Sequence, residues 1–216
     1  MGGTDLSACA LLKAVRLLAI DTTSEFGSLA LAEGGRVMEE VALDSPDGYA
    51  HVLFAEIERL LARHKITIAD IEGFAAAAGP GSFTGVRVGL TAAKGLAEAT
   101  GRKVVAVSNL QALAWFGAKA LRAPVIDARR GEIFGAVYDG DLRLVSNEVV
   151  MKYEDWLRTL PGDVELIAQQ PPRVLAGAVA RIAVQRFEAG WAQDPAEIDA
   201  NYVRRSDAEL MWRDKV

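Results

Sequence analysis

The run Arg16-Leu17-Leu18-Ala19-Ile20-Asp21 decides the fold, because it reads as an apolar strand that ends in an acid and it has a counterpart later in the chain. A polar loop follows over residues 22–27. Two further strands come next, Ser28–Ala32 and Arg36–Leu43, joined by a turn at Gly34-Gly35. Glycine supplies the positive φ angles that tight hairpins require. The opening of the chain therefore predicts a three-stranded antiparallel meander.

The following segments predict alternating helices and strands. Apolar residues recur at helical spacing within residues 50–64, which indicates an amphipathic helix. Residues 71–78 have the composition of a strand buried on both faces. Residues 86–99 then predict a second helix, which Gly101 ends, and residues 103–107 predict another strand. The expected order of the first half is β-β-β-α-β-α-β.

The strand-plus-acid pattern recurs at Ala123-Pro124-Val125-Ile126-Asp127. A loop, a second strand, a glycine turn and a third strand follow it in the same order as before. We interpret this as an internal duplication. It predicts an N-terminal lobe over residues 15–109, a linking helix over 110–121 and a reduced C-terminal lobe over 122–216, with residues 1–14 as a disordered extension.

The composition narrows the classes of function. A hydrophobic content of 51% is ample for a buried core, and a net charge of −5 argues against unaided binding of a nucleic-acid backbone. The single Cys9 has no companion for a disulfide or a thiolate metal site. The chain contains no apolar run long enough for a membrane span and no basic residue before its apolar N-terminal stretch. We therefore expect a cytoplasmic protein without membrane attachment.

A duplicated β-β-β-α-β-α unit with an acid after its first strand resembles the actin, Hsp70 and sugar-kinase ATPase superfamily, which is built from ribonuclease-H-like lobes. That resemblance implies an α/β fold with two such lobes, the second reduced. It also implies that Asp21, Thr22 and Thr23 form a vestigial cofactor-binding phosphate loop, with Asp127 in the second loop. The alternative is that both acids cap their own loops, as aspartate often does.

The most specific stretch is Gly79-Pro80-Gly81-Ser82-Phe83-Thr84-Gly85-Val86-Arg87-Val88-Gly89. Ser82 or Thr84 can cap the helix that follows. Small residues then recur every fourth position, which leaves one helix face smooth enough for close packing. The lobe's own sheet and another protein are equal candidates for the packing partner. A dinucleotide loop is disfavoured because Pro80 lacks an amide hydrogen and no ribose-binding acid follows the next strand.

This stretch, together with Leu18–Thr23, His51, Ile126–Glu132 and Asn201–Arg204, resembles the TsaD or glycoprotease (peptidase M22-like) family, specifically its small paralogues. The resemblance covers most of the chain after Ala14. It implies a non-catalytic scaffold or activator subunit of bacterial threonylcarbamoyladenosine tRNA modification. Such a subunit binds TsaD, with the ATPase TsaE joining, and supports threonylcarbamoyl transfer to the adenosine next to the anticodon. It reaches tRNA only through TsaD and forms a homodimer when alone.

The resemblance further implies that pairing uses the first two helices. The interface candidates are His51, Leu53, Ile57, Leu60, Gly85, Gly89 and Ala93.

The chain departs from the catalytic members of that family in two places. TsaD-like enzymes hold a metal with a His-x-x-x-His pair, whereas here His51 is followed four residues later by Ala55. The expected glycine-rich adenosine loop keeps only Gly177. We therefore expect no catalytic residue, no metal site and no cofactor bound tightly by this chain alone, with ATP or ADP possible in the complex. The alternative is a stand-alone small-molecule kinase or metallopeptidase of the same fold.

Overall fold

The computed structural model describes residues 15–168 and 173–203, and the expected extension over residues 1–14 lies outside that part. The first half contains β1 (Arg16–Asp21), β2 (Ser28–Glu33), β3 (Arg36–Ala42), α1 (Leu53–Arg63), a 3₁₀ turn (Ile68–Asp70), β4 (Gly73–Ala77), α2 (Phe83–Thr100) and β5 (Lys103–Val107). The second half contains α3 (Asn109–Ala114), β6 (Leu121–Arg129), β7 (Glu132–Asp139), β8 (Leu144–Lys152), α4 (Tyr153–Leu157), β9 (Glu165–Ala168) and α5 (Ala176–Glu188).

The strands form two sheets with the same connectivity. The first sheet has the order β3-β2-β1-β4-β5 and the second has the order β8-β7-β6-β9. In each sheet the first strand pairs antiparallel with the next strand and parallel with the fourth. This repeat confirms the duplicated ribonuclease-H-like plan, and the second sheet is the reduced one because it has four strands in the described residues.

The first sheet is buried on both faces, as alternation along β1 requires. Leu18 and Ile20 face a hydrophobic cluster that includes α1 and α2. Leu17 and Ala19 face a second cluster that includes α3, α5 and residues of the second sheet. This second cluster joins the two lobes through one continuous apolar core.

The packing corrects the expected division of the chain at residues 110–121. Helix α5 comes from the second half but packs across the first sheet, while α3 packs against β6 and β7. The linking helix ends at Ala114 rather than at residue 121. Gly117 follows, packed so closely against Ile167 and Arg122 that a side chain there would have no room. The first lobe therefore contains a helix from the second half of the chain.

The N-terminus of α5 is held by side chains of the first sheet. Ser28 Oγ accepts a hydrogen bond from Ala176 N at 3.1 Å, and Glu40 Oε1 accepts one from Gly177 N at 2.6 Å. Backbone N–H groups at a helix start need such acceptors and favour a negative charge. The β2–β3 hairpin therefore caps a helix that is about 140 residues away in sequence.

Candidate functional site

A cleft of about 1630 Å³ lies between the two lobes. It is lined by residues 22–26 after β1, by residues 44–50, by the start of α2, by the β6–β7 loop and by residues 201–203. Strand ends of both sheets meet here, which is where ligands of open α/β sheets commonly bind. The cleft contains most of the sequence motifs discussed above.

Asp21 lies fully buried at the end of β1, beneath the cleft. Its Oδ1 accepts hydrogen bonds from Thr23 N at 2.9 Å and Thr23 Oγ1 at 2.6 Å. Asn109 extends this network by donating to Thr23 Oγ1 and accepting from Gly79 N. Asp21 Oδ2 has no hydrogen-bond partner in the described part of the chain. Burial raises the pKa of Asp21, although the bonds from Thr23 act in the opposite direction.

The residues expected to form a phosphate loop do not present free donors to the cleft. Thr22 and Thr23 are 1% and 2% exposed. The Thr22 hydroxyl donates to Gly85 O at 2.7 Å, and the Thr23 hydroxyl donates to Asp21. A phosphate could reach these groups only by breaking both bonds. In this structure these hydroxyl groups serve a structural contact, and the vestigial phosphate loop stays a prediction.

The glycines of the signature stretch make room for that contact. A Cβ at Gly85 would lie 2.0 Å from Thr22 O, and one at Gly81 would lie 2.6 Å from Thr23 O. One at Gly89 would lie 2.6 Å from Thr22 Oγ1. These contacts are with the chain's own β1 loop, so the smooth face of α2 packs inside the lobe. We call this contact between residues 22–23 and the start of α2 the glycine joint.

Ser82 begins α2 at the glycine joint. Its hydroxyl accepts from Gly85 N at 3.3 Å, and its backbone N–H donates to Thr23 O at 2.7 Å. Of the two cap residues that the sequence allows, Ser82 is therefore the one used, and α2 starts three residues earlier than expected. At the other end Gly101 adopts the left-handed conformation, as expected.

Most of the residues expected at the interface lie inside the lobe in this chain, and the interface stays a prediction. Leu53, Ile57 and Leu60 are at most 3% exposed, because the apolar face of α1 covers the first sheet. Gly89 and Ala93 are buried as well, and Gly85 is half-buried against Thr22; buried groups cannot contact a partner. Of the seven candidates, only His51 is exposed.

The outward face of α2 carries a second row of small residues that the sequence reading missed. Thr91, Gly95 and Ala99 are all exposed and are spaced four residues apart. A Cβ at Gly95 would meet nothing within 4 Å. Phe54 lies on the outward face of α1 and is 53% exposed. We call Thr91, Gly95 and Ala99 the outer stripe. The four-residue spacing of the outer stripe is visible in the sequence. The buried row at Gly85, Gly89 and Ala93 has the same spacing, so spacing alone does not tell which row faces outward.

The acid of the second lobe caps its own loop. Asp127 is exposed, and its Oδ1 accepts from Arg129 N at 2.8 Å. Arg129, Arg130 and Gly131 follow with positive φ angles of 66°, 58° and 75°. This geometry favours the loop-capping interpretation of Asp127 over a phosphate site.

The described residues, 15–168 and 173–203, contain no group of three or more His, Cys, Asp and Glu side chains placed to hold a metal. His64 lies at the end of α1, where its Nε2 is 2.8 Å from Glu39 Oε2. Within the same two ranges, the helices are all too short or too polar to cross a membrane.

We predict that Gly85→Ala destabilises the chain. The added methyl group would lie 2.0 Å from a backbone oxygen, which cannot turn away as a side chain can. A loss of about 1–3 kcal/mol in the free energy of unfolding is expected from urea titration. The matched control is Gly95→Ala in the same helix, where nothing lies within 4 Å, and it should gain up to about 1 kcal/mol. Equal effects at both sites would contradict the glycine joint.

A second prediction concerns the buried carboxyl group. Because the folded-state pKa of Asp21 is raised, the native chain loses stability as the pH rises from the ordinary value of 3.8 through that folded pKa. Asp21→Asn has the same shape and carries no charge, so it should be more stable by about 1 kcal/mol or more at pH 7. The gain should vanish below the ordinary pKa. Urea unfolding from pH 3 to 8 measures the stability difference between Asp21→Asn and the parent. The exposed Asp47→Asn is the control. Lower stability of Asp21→Asn at every pH would refute the prediction.

Comparison with known proteins gives consistent matches. The family model for TsaD, tRNA N6-adenosine threonylcarbamoyltransferase, matches residues 46–181. The chain is 37% identical over 131 residues to the tRNA threonylcarbamoyladenosine biosynthesis protein TsaB of Escherichia coli, which covers 59% of this chain and 56% of that protein. It is 33% identical over 149 residues to TsaB of Bacillus subtilis, which covers 67% and 65%. The aligned regions thus span less than two thirds of the length of these two relatives.

Solved structures match over a larger share of the chain. A crystal structure from Pseudomonas aeruginosa, described as an uncharacterized protein with similarity to the peptidase YEAZ, has a TM-score of 0.76 at 26% identity and covers 88% of this chain and 100% of that one. YeaZ from Pseudomonas aeruginosa has a TM-score of 0.74 at 25% identity, with coverage of 87% and 99%. The family match includes α1, the signature stretch and all of α2. The chain therefore belongs to the TsaD family and, within it, is similar to the TsaB (YeaZ) proteins.

Proposed function

We propose that this chain takes part in tRNA threonylcarbamoyladenosine biosynthesis as a non-catalytic scaffold or activator subunit that binds a TsaD enzyme. The names of its relatives support a part in tRNA threonylcarbamoyladenosine biosynthesis. The outer stripe of α2 is the observation that carries the role of a binding subunit. The role belongs in the cytoplasm, where tRNA is modified.

The site chemistry supports a subunit without its own catalysis. The helix that begins after His51 offers Ala55 where a second histidine would be needed for a metal pair. Asp21, Thr22 and Thr23 are buried and bond to protein groups. A nucleophile or base must reach its substrate, and none of these side chains is accessible.

The outer stripe supports a protein partner on α2. Glycine inside a helix costs about 1 kcal/mol relative to alanine. At Gly85 the glycine joint accounts for this loss of helix stability, but at Gly95 no contact with the described residues, 15–168 and 173–203, does so. Close approach by the backbone or a helix of a second protein would explain it. A TsaD partner, or a second copy of this chain when TsaD is absent, fits this surface.

The negative net charge of the chain supports contact with tRNA through TsaD rather than direct binding of tRNA by this chain. With a net charge of −5, this subunit would repel a phosphate backbone, so TsaD would hold the tRNA. TsaE would join the TsaD complex, and any ATP or ADP would bind within that assembly rather than to this chain alone.

We predict that Gly95→Gln lowers affinity for TsaD of the same organism at least tenfold, because a long side chain would keep the partner's backbone away from α2. The isolated variant should be at least as stable as the parent, since the site is exposed and glutamine favours the helix more than glycine does. Titration calorimetry measures affinity, and light scattering measures the loss of homodimer. The control is Gly140→Gln, another exposed glycine with nothing within 4 Å. Unchanged affinity in Gly95→Gln would exclude the outer stripe as the binding surface.

The non-catalytic role has a separate test. Purified chain, threonylcarbamoyl-adenylate and tRNA should give no modified adenosine without TsaD, and modification should appear when TsaD and TsaE are added. Product formation by this chain alone would refute the proposal and favour an independent enzyme.

A further inference from the structure

The chain returns to the first lobe after α5. We call residues 191–203 the strap. Gln193 pairs with Val104 at the edge of β5, with N···O distances of 3.0 and 2.9 Å. Further along, Lys94 Nζ donates to Ile198 O at 2.7 Å. Asn201 N donates to Ala78 O at 2.8 Å, which places the end of the strap at the floor of the cleft.

Glu148 of the second sheet connects to the strap at this point. Its Oε2 accepts from Asn201 Nδ2 at 2.6 Å. Its Oε1 accepts from Tyr138 Oη at 2.6 Å and from the hydroxyl of Ser108. One half-buried carboxylate thus binds a residue of β7, a residue just before α3 and a residue of the strap. Hydrogen bonds to a charged acceptor are stronger than those between neutral groups.

The other two donors to Glu148 are fixed by their own surroundings. Burial, together with the charge of Glu148, raises the pKa of Tyr138, so its hydroxyl keeps the proton that it donates. Ser108 also accepts from Leu110 N at 3.2 Å and so caps α3. The hydrogen bond from Asn201 is therefore the one that joins Glu148 to the strap.

The hydrogen bond between Glu148 and Asn201 lies at the interlobe cleft. Asn201 lines the cleft floor, whereas the apolar core around α3 joins the lobes behind it. In two-lobed proteins that open and close by a hinge, a polar contact at the cleft restrains the opening. We infer that Glu148 and Asn201 form a latch between the second sheet and the strap, and that this latch sets the width of the interlobe cleft.

The strap also contacts the outward surface of α2, next to the latch. Tyr202 follows Asn201, its ring centroid is 6.3 Å from that of Phe83, and its hydroxyl accepts from Arg87 Nε at 3.3 Å. A protein that covers the exposed Phe83 would press on the strap next to the latch. This last step rests on the proposed function, whereas the latch itself does not.

The test uses the isolated full-length chain with Cys9 replaced by serine and spin labels on Asp47→Cys, which lines the cleft, and on the exposed Lys152→Cys, next to Tyr153 of the cleft lining. Asn201→Asp places two carboxylates face to face, and we expect pulsed electron resonance to show a longer or broader distance distribution. Glu148→Gln combined with Asn201→Asp should restore the parent distribution, because the new amide donates to the new carboxylate while its oxygen still accepts from Ser108 and Tyr138. Asn147→Asp adds the same charge at an exposed neighbour and should change nothing.

An unchanged distribution in Asn201→Asp would overturn the latch, and so would an equal change in Asn147→Asp or a failure of the double variant to restore the distances. Circular dichroism establishes that each variant is folded. The result does not depend on TsaD, so it stays separate from the test of the partner surface. If the latch holds, adding TsaD to the labelled parent then shows whether partner binding changes the cleft.

Discussion

The close contact between the start of α2 and the loop after β1 is the constraint on which the rest of the structure depends. Gly85 can approach the Thr22 carbonyl only because it has no side chain, and the Thr22 hydroxyl then bonds back to Gly85 O. This contact fixes the direction in which α2 leaves the sheet. The direction of α2 in turn decides which of its faces is buried and which is left for another protein.

The same joint explains why the phosphate loop expected from the fold is closed. Thr22 and Thr23 use their hydroxyl groups to connect α2 and Asp21, and Asn109 joins this network from the start of α3. The cost is a buried carboxyl group with one oxygen that has no partner in the described residues. Buried unpaired charge is destabilising, so this position is one where the chain is not optimised for stability.

The two lobes are not independent units, because a helix from the second half of the chain packs on the first sheet. Helix α5 packs on the first sheet and is capped there by Ser28 and Glu40. The strap then follows the first lobe back to the cleft. The lobes share the apolar core near α3 on one side and polar contacts at the cleft floor on the other.

The sequence by itself determined the elements and the duplicated plan, because side-chain periodicity and glycine turns are local properties. It predicted β1, β5 and β7 to the residue and the repeated strand-acid-loop pattern that the two sheets confirm. Only the tertiary structure decided which face of α2 is buried, since the row containing Gly85 and Gly89 and the row containing Gly95 have the same four-residue spacing. The lobe boundaries and the burial of Asp21 were also decided there, because both depend on contacts between residues far apart in the chain.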